Sequence, residues 1–190
     1  MHNLNLIAYL RSITPLSAEV EACLNSIVQA RRLRRKEYLL KMGHACRHVY
    51  FIRSGFVRRF HFNDDDREIT SGLLMENQVV YSVSSFCEQV PSTEYIQAIE
   101  PTELLFISYD ELLGLMEQFP ELVVICRKIA IRCHQLTEEH NQLLLSGNAL
   151  DRLKYMQKNH ADILRRVPHK VLASYLGCTP ENLSRVKGLR

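Results

Sequence analysis

The chain has 190 residues, 46% of them hydrophobic, which is enough for one core and a small second domain. No stretch approaches the ~20 apolar residues of a membrane span, and Met1–Asn5 lacks the charged and apolar blocks of a secretory signal, so a cytoplasmic protein without membrane contact is expected. The net charge of +3 is uneven: residues 150–190 hold nine Lys and Arg against three Asp and Glu, whereas residues 1–149 hold 15 against 18, which places any nucleic-acid work at the C-terminus.

In chain order, Leu6, Ile7, Leu10, Ile13 and Leu16 recur near helical spacing and Leu24 and Ile27 continue the stripe, so residues 4–27 are predicted helical. Thr14-Pro15-Leu16-Ser17 reads as a break and a fresh helix start. From about 28 to 108 the pattern is one of short strands separated by turn signals. The basic run 31–36 is expected to be the solvated edge of a strand entering a barrel. Val49–Ile52 is a buried strand ending at Ser54-Gly55. Phe56–Phe62 follows, 63–66 turns, and Ile69–Leu74 returns as its hairpin partner. Residues 94–99 and 104–107 are predicted to form a later pair, turned at 100–103. Strands this short and evenly spaced suggest a small barrel or jelly roll.

Helices resume at Tyr109. A short one is stopped by Pro120, and a long one is predicted from about Glu121 to Leu145. Its stripe of Leu122, Cys126, Ile129, Cys133, Leu136, His140 and Leu143 alternates spacings of four and three. That is a heptad seam, and it predicts pairing with a second copy of the chain. Ser146-Gly147-Asn148 reads as a hinge, and Ala149–Arg166 as one further helix.

The six cysteines are scattered and form no CxxC, so reduced, mostly buried thiols are expected rather than a metal or redox site. His44, His48 and His61 lack the H-x-H spacing of a metal-binding barrel enzyme. No Gly-rich phosphate loop, serine nucleophile elbow or Cys–His pattern occurs, so neither a metal nor an enzyme activity is expected.

The most constrained segment is 168–187. A small residue must sit where two short helices cross, and Ala173 does. A residue tolerating positive φ must turn the chain four positions later, and Gly177 does. Leu172, Leu176, Cys178, Leu183 and Val186 fall where the inward faces must be apolar. Thr179 can cap the second helix, and Pro168 and Pro180 suit the first turns. This is a helix-turn-helix. Its second helix would present Glu181, Ser184, Arg185 and Lys187 to base edges, with His169 and Lys170 near phosphates. Glu181 can accept from a cytosine amino group, and Arg185 can bind guanine with two donors.

Barrel, long helix, hinge and helix-turn-helix, in that order, resemble the CRP/FNR family of transcription regulators over nearly the whole chain. Val49-Tyr50-Phe51-Ile52-Arg53-Ser54-Gly55-Phe56-Val57-Arg58 is similar to the strand-glycine-strand signature of that family's cyclic-nucleotide-binding barrel, and Glu181-x-x-Ser184-Arg185 to the base-reading motif of its FNR branch. The resemblance implies an α+β protein. A double-stranded β-helix (jelly-roll) sensor barrel would occupy 1–120, a dimerisation helix and hinge 121–147, and a winged-helix-like helix-turn-helix domain 148–190. It also implies a homodimer on a two-fold-symmetric site in double-stranded DNA, in contact with RNA polymerase.

Three departures shape the expectations. The family's phosphate-binding cassette carries a Gly-Glu pair and then an Arg; here Ser82 stands about where the Glu should be, and Ser92 or Thr93 where the Arg should be. A pocket of Tyr81, Ser82, Ser84, Ser92 and Thr93 would lack a charged partner for a cyclic phosphate, so cyclic AMP is not expected and the effector is left unnamed. Cys23 alone near the N-terminus does not supply an iron–sulfur cluster. The family usually follows its recognition helix with a β-hairpin wing, and the sequence stops at Arg190 before one, either because this branch lacks the wing or because the sequence is truncated. The rival reading is a ligand-sensing or scaffold protein whose helix-turn-helix holds a protein partner. It predicts weak, salt-insensitive association with DNA.

Overall fold

The structure is a computed structural model and describes residues 4–188. Two short helices come first, α1 (Leu4–Ile13) and α2 (Ala18–Ile27). They are separated at the predicted break, where the Ser17 hydroxyl accepts the Val20 N–H at 3.3 Å and caps α2. Eight strands follow: β1 (Gln29–Leu33), β2 (Tyr38–Leu40), β3 (His48–Ser54), β4 (Phe56–Phe62), β5 (Glu68–Met75), β6 (Val79–Val80), β7 (Tyr95–Ala98) and β8 (Thr102–Ser108). The short helix α3 (Val83–Glu88) lies between β6 and β7. The strands build two four-stranded antiparallel sheets, β1-β8-β3-β6 and β2-β7-β4-β5. Their facing sides enclose one core, with Tyr50, Ile52, Val57, Leu74, Ile96 and Leu104 inward. Alternation along β3 sends Phe51 to the other side.

The predicted hairpin of β4 and β5 is present, running from Phe56 opposite Met75 to Phe62 opposite Glu68 with a one-residue register shift between Arg59 and Phe60. The predicted pairing of 94–99 with 104–107 is not. β7 pairs with β2 and β4, whereas β8 pairs with β1 and β3 in the opposite sheet. The turn at 100–101 therefore carries the chain across the sandwich rather than back along one sheet. At Gly55, φ is +101° and a Cβ would stand 2.6 Å from the Pro101 carbonyl oxygen, so this crossing packs directly on the β3–β4 junction. The basic run begins in β1, an edge strand, as expected.

Helix α4 (Tyr109–Gln118) opens with a full capping box between Ser108 and Glu111. The long helix α5 (Pro120–Leu145) follows. At the hinge Gly147 has φ +48°, and Asn148 caps the next helix by accepting from Leu150 N–H and Asp151 N–H. The single helix predicted over 149–166 is two, α6 (Ala149–Asn159) and α7 (Ala161–Arg166). His160 separates them, with φ −141° and ψ 43°. The break lets Ile163 and Val167 turn into the same cluster as Leu153 and Met156. Helices α8 (His169–Tyr175) and α9 (Pro180–Gly188) complete the described chain.

The seam residues of α5 do not form an exposed stripe. Leu122, His140 and Leu143 are buried within the chain, and Cys126, Ile129, Cys133 and Leu136 are half-buried. Leu122 and Ile129 pack with α1, α2 and α4, Cys133 reaches the Val79 carbonyl, and Leu143 joins the C-terminal cluster. A 26-residue helix beside a barrel must cover that barrel with one face, and the seam is that face. The outward face exposes Val123, Val124, Ile131 and Leu145.

Candidate nucleic-acid interface

Helices α8 and α9 meet as the sequence requires. Ala173 is fully buried, and the backbone turns at Gly177 with φ +63°. A Cβ at Gly177 would lie 2.9 Å from Arg152 Nη1 and 3.0 Å from Leu144 Cδ2. Leu172, Leu176, Leu183 and Val186 are buried in a cluster completed by Ala149, Leu153 and Met156, so α6 braces the pair from behind. Thr179 Oγ1 accepts the Asn182 N–H at 3.2 Å and caps α9.

This packing leaves the other face of α9 free. Glu181, Ser184, Arg185 and Lys187 are all exposed, as is Thr179. Arg185 Nη2 donates to Asn182 Oδ1 at 3.0 Å. It makes no ion pair with Glu181 among the described residues. The Glu181 carboxyl sits below the usual carboxylate range because its own backbone N–H and Thr179 donate to it, so it is an ionised acceptor at neutral pH. On α8, Lys170 is exposed and His169 is half-buried; His169 Nε2 lies 3.4 Å from Ser184 Oγ. The residues singled out from the sequence thus form one polar surface at the open side of the two helices.

The serine pocket is only partly assembled. Ser82 and Ser92 are buried with their hydroxyl oxygens 3.2 Å apart, and Ser92 Oγ also accepts the Glu94 N–H at 3.1 Å. Ser84 and Thr93 are exposed, and Tyr81 packs against Phe86. Ser85, which sequence reasoning passed over, is the more embedded of the α3 serines. It accepts the Cys46 N–H and donates to the Val90 carbonyl, tying α3 to the barrel. The one arginine buried inside the second sheet is Arg58, and it is already occupied: Nη1 meets Glu68 Oε2 at 2.8 Å, and Nε and Nη2 donate to Gln97 Oε1.

The C-terminal helices are docked on the barrel. Phe56, Leu73 and Ile99 belong to the same buried cluster as Leu172 and Leu183. Ser174 Oγ donates to the Glu68 carbonyl and accepts the Thr70 N–H, each at 2.8 Å, adding α8 to the edge of β5. Arg166 meets Glu76 through two bonds of 2.8 Å and reaches Glu100 at 2.5 Å. His140 stacks on Tyr175 at 3.8 Å and donates from Nε2 to the Tyr175 carbonyl at 2.7 Å. None of these contacts had a local sequence signal. Each joins residues at least 35 positions apart.

Two of these groups make the docking sensitive to acid. Burial, reinforced by Arg59, holds the His140 imidazole below its ordinary 6.5. The Arg166 guanidinium holds Glu76 at about 2, below its ordinary 4.5. Both groups bind protons more readily when the chain is unfolded. Their stabilisation is complete above pH 6.5 for His140 and above 4.5 for Glu76, and is lost as pH falls through the folded values. Glu76 is partly exposed, so solvent screens its share. The melting temperature is expected to fall below pH 6.5; burial also lowers the His48 imidazole, so the first part of that fall should shrink in His140→Gln and persist in part through His48. An unchanged profile in that variant would remove His140 from the account.

Comparison with known proteins places this geometry. The cyclic nucleotide-binding domain family matches residues 30–119. The transcriptional activator protein Anr of Pseudomonas aeruginosa is 26% identical over 186 residues, covering 90% of this chain and 75% of that protein. Among solved structures, the c-di-GMP-responsive global regulator CLP of Xanthomonas campestris is 22% identical with a TM-score of 0.74, covering 91% of both chains. FixK2 of Bradyrhizobium japonicum is 17% identical with a TM-score of 0.72, covering 86% of this chain and 84% of that one. The last two share the fold.

Proposed function

We propose that the chain acts as a transcription regulator of the CRP/FNR family and reads a two-fold-symmetric site in double-stranded DNA as a homodimer through α9. The observation that carries this reading is the exposed set Glu181, Ser184, Arg185 and Lys187 on a helix whose opposite face is fixed by Leu183 and Val186. Such a helix can enter a major groove without unfolding anything behind it. Its basic surroundings favour the phosphate backbone. In this proposal the copies pair along the outward face of α5. Val124, Ile131 and Leu145 lie there at multiples of seven residues, the spacing of a coiled-coil seam. RNA polymerase is the proposed protein partner, and the serine pocket does not take cyclic AMP in the family's usual way.

Selection of genomic fragments by the purified chain, read by sequencing and repeated across salt concentrations, tests this. An enriched palindrome whose affinity falls steeply with salt is the expected result. Folded protein that enriches no sequence, or binds without salt dependence, would overturn it in favour of a helix-turn-helix that holds a protein partner. On the selected site, Arg185→Ala should cost about 1–3 kcal/mol and relax preference at one base pair. Lys170→Ala should weaken all sequences alike. An Arg185→Ala protein with unchanged affinity and preference would show that another face reads the DNA.

A further inference from the structure

A second cavity lies on the outside of the barrel and extends to Tyr81, beside Ser82. It is bounded by α1, α4 and α5 and by the side of β3 and β8 that carries Phe51 and Leu105, and it measures about 360 Å³. Leu6, Leu10, Phe51, Leu105, Ile125 and Ile129 are among its walls. Among the described residues, every lining side chain is aliphatic, aromatic or sulfur-bearing, with no carboxylate, ammonium, guanidinium, imidazole or amide. The polar side-chain groups among them are tyrosine hydroxyls and the thiols of Cys87 and Cys126. Burial pushes both the Tyr81 hydroxyl and the Cys126 thiol up, so neither carries charge at neutral pH.

Size and chemistry together constrain what such a space holds. The space opens partly to solvent, so with no occupant its apolar walls face water. Water is a poor occupant where so few groups can bond to it; apolar cavities of about 150 Å³ stay dry and take up benzene. The volume here falls in the range of ~300–1,000 Å³ typical of small-molecule sites. A charged ligand would lose its hydration with no counter-charge in return.

We propose that this cavity is a binding site for one uncharged, largely hydrocarbon small molecule. Such a ligand would touch α1, β3, β8 and α5 at once. Its chemistry would differ from that of any ligand bonded to the Ser82 and Ser92 hydroxyls. The proposal concerns the barrel side of α5 and stands whether or not α9 reads DNA.

The test is a fluorescence titration of the full chain with N-phenyl-1-naphthylamine, a neutral probe that brightens in apolar surroundings. Saturable binding of one probe per chain is expected. Cys126→Trp, which places an indole in the wall, should weaken it by about tenfold or more. Absence of a saturable signal from folded protein would overturn the proposal, and so would equal affinity in folded Cys126→Trp. Should that variant fail to fold, maleimide labelling of the unaltered chain decides. Saturating probe should slow modification of Cys126 and leave Cys178, at the helix-turn-helix turn, unaffected; no protection, or equal protection of both, would sink the idea. No DNA enters either measurement, so its failure is separable from failure of operator selection.

Discussion

Leu176→Ala is expected to lower the unfolding free energy by about 2–5 kcal/mol. Leu176 is fully buried between α8 and the turn at Gly177, in one cluster with Leu153, Leu172 and Leu183. Truncation removes three side-chain carbons from a site where the neighbours are held from three sides. α6 carries its own cap at Asn148, α9 is capped by Thr179, and α8 is bonded to β5 through Ser174, so collapse into the space is restricted. A urea melt measures the change directly, and a chain of this size should lose roughly 2–4 °C of melting temperature per kcal/mol. The surface of α9 is untouched, so DNA affinity of the folded fraction should remain. A loss under about 1 kcal/mol would mean that the two helices are not packed as described.

Glu68→Leu is expected to cost about 3 kcal/mol, near the low end for breaking a buried ion pair because the Glu68 carboxylate retains some contact with water. Its partner Arg58 is buried in β4 and cannot discharge itself by losing a proton. Gln97, directly opposite on β7, accepts two of its bonds but brings no negative charge. The diagnostic measurement is the double variant. Arg58→Met together with Glu68→Leu removes both charges and should be less destabilised than Glu68→Leu alone. If the double variant is the worse of the two, the penalty is one of packing rather than of an orphaned charge.

These two sites mark what was and was not legible in the sequence. The helix-turn-helix was legible because its demands are local. Ala173, Gly177 and Thr179 each answer a backbone requirement imposed within a few residues, and the structure meets those requirements with a buried methyl, a φ of +63° and an N-cap. The β4–β5 hairpin was legible for the same reason, with its turn residues between two apolar runs. Strand partnership across the sandwich was not: β7 and β8 are adjacent in sequence and lie in opposite sheets, a choice made by the whole topology. The break at His160 carries neither Gly nor Pro. The periodicity of α5 correctly identified an apolar stripe but could not say what covers it. A heptad seam and a face laid on a barrel look alike in one dimension, and Leu122, His140 and Leu143 are covered by their own chain. Arg166, the best-connected residue between barrel and C-terminal helices, gave no signal at all, because Glu76 and Glu100 are 90 and 66 positions away.

The common cluster joining Phe56, Leu73 and Ile99 to the C-terminal helices has a consequence for dissecting the molecule. A cut at 147 follows the hinge, yet it would run through an apolar layer rather than around it. The isolated barrel would display Phe56 and Ile99 to water beside carboxylates that had lost Arg166, with the edge of β5 stripped of Ser174. An uncovered strand edge next to an apolar patch is a template for association. Barrel fragments should therefore aggregate more readily than the intact chain, because residues 148–188 act as an intramolecular cover over that patch.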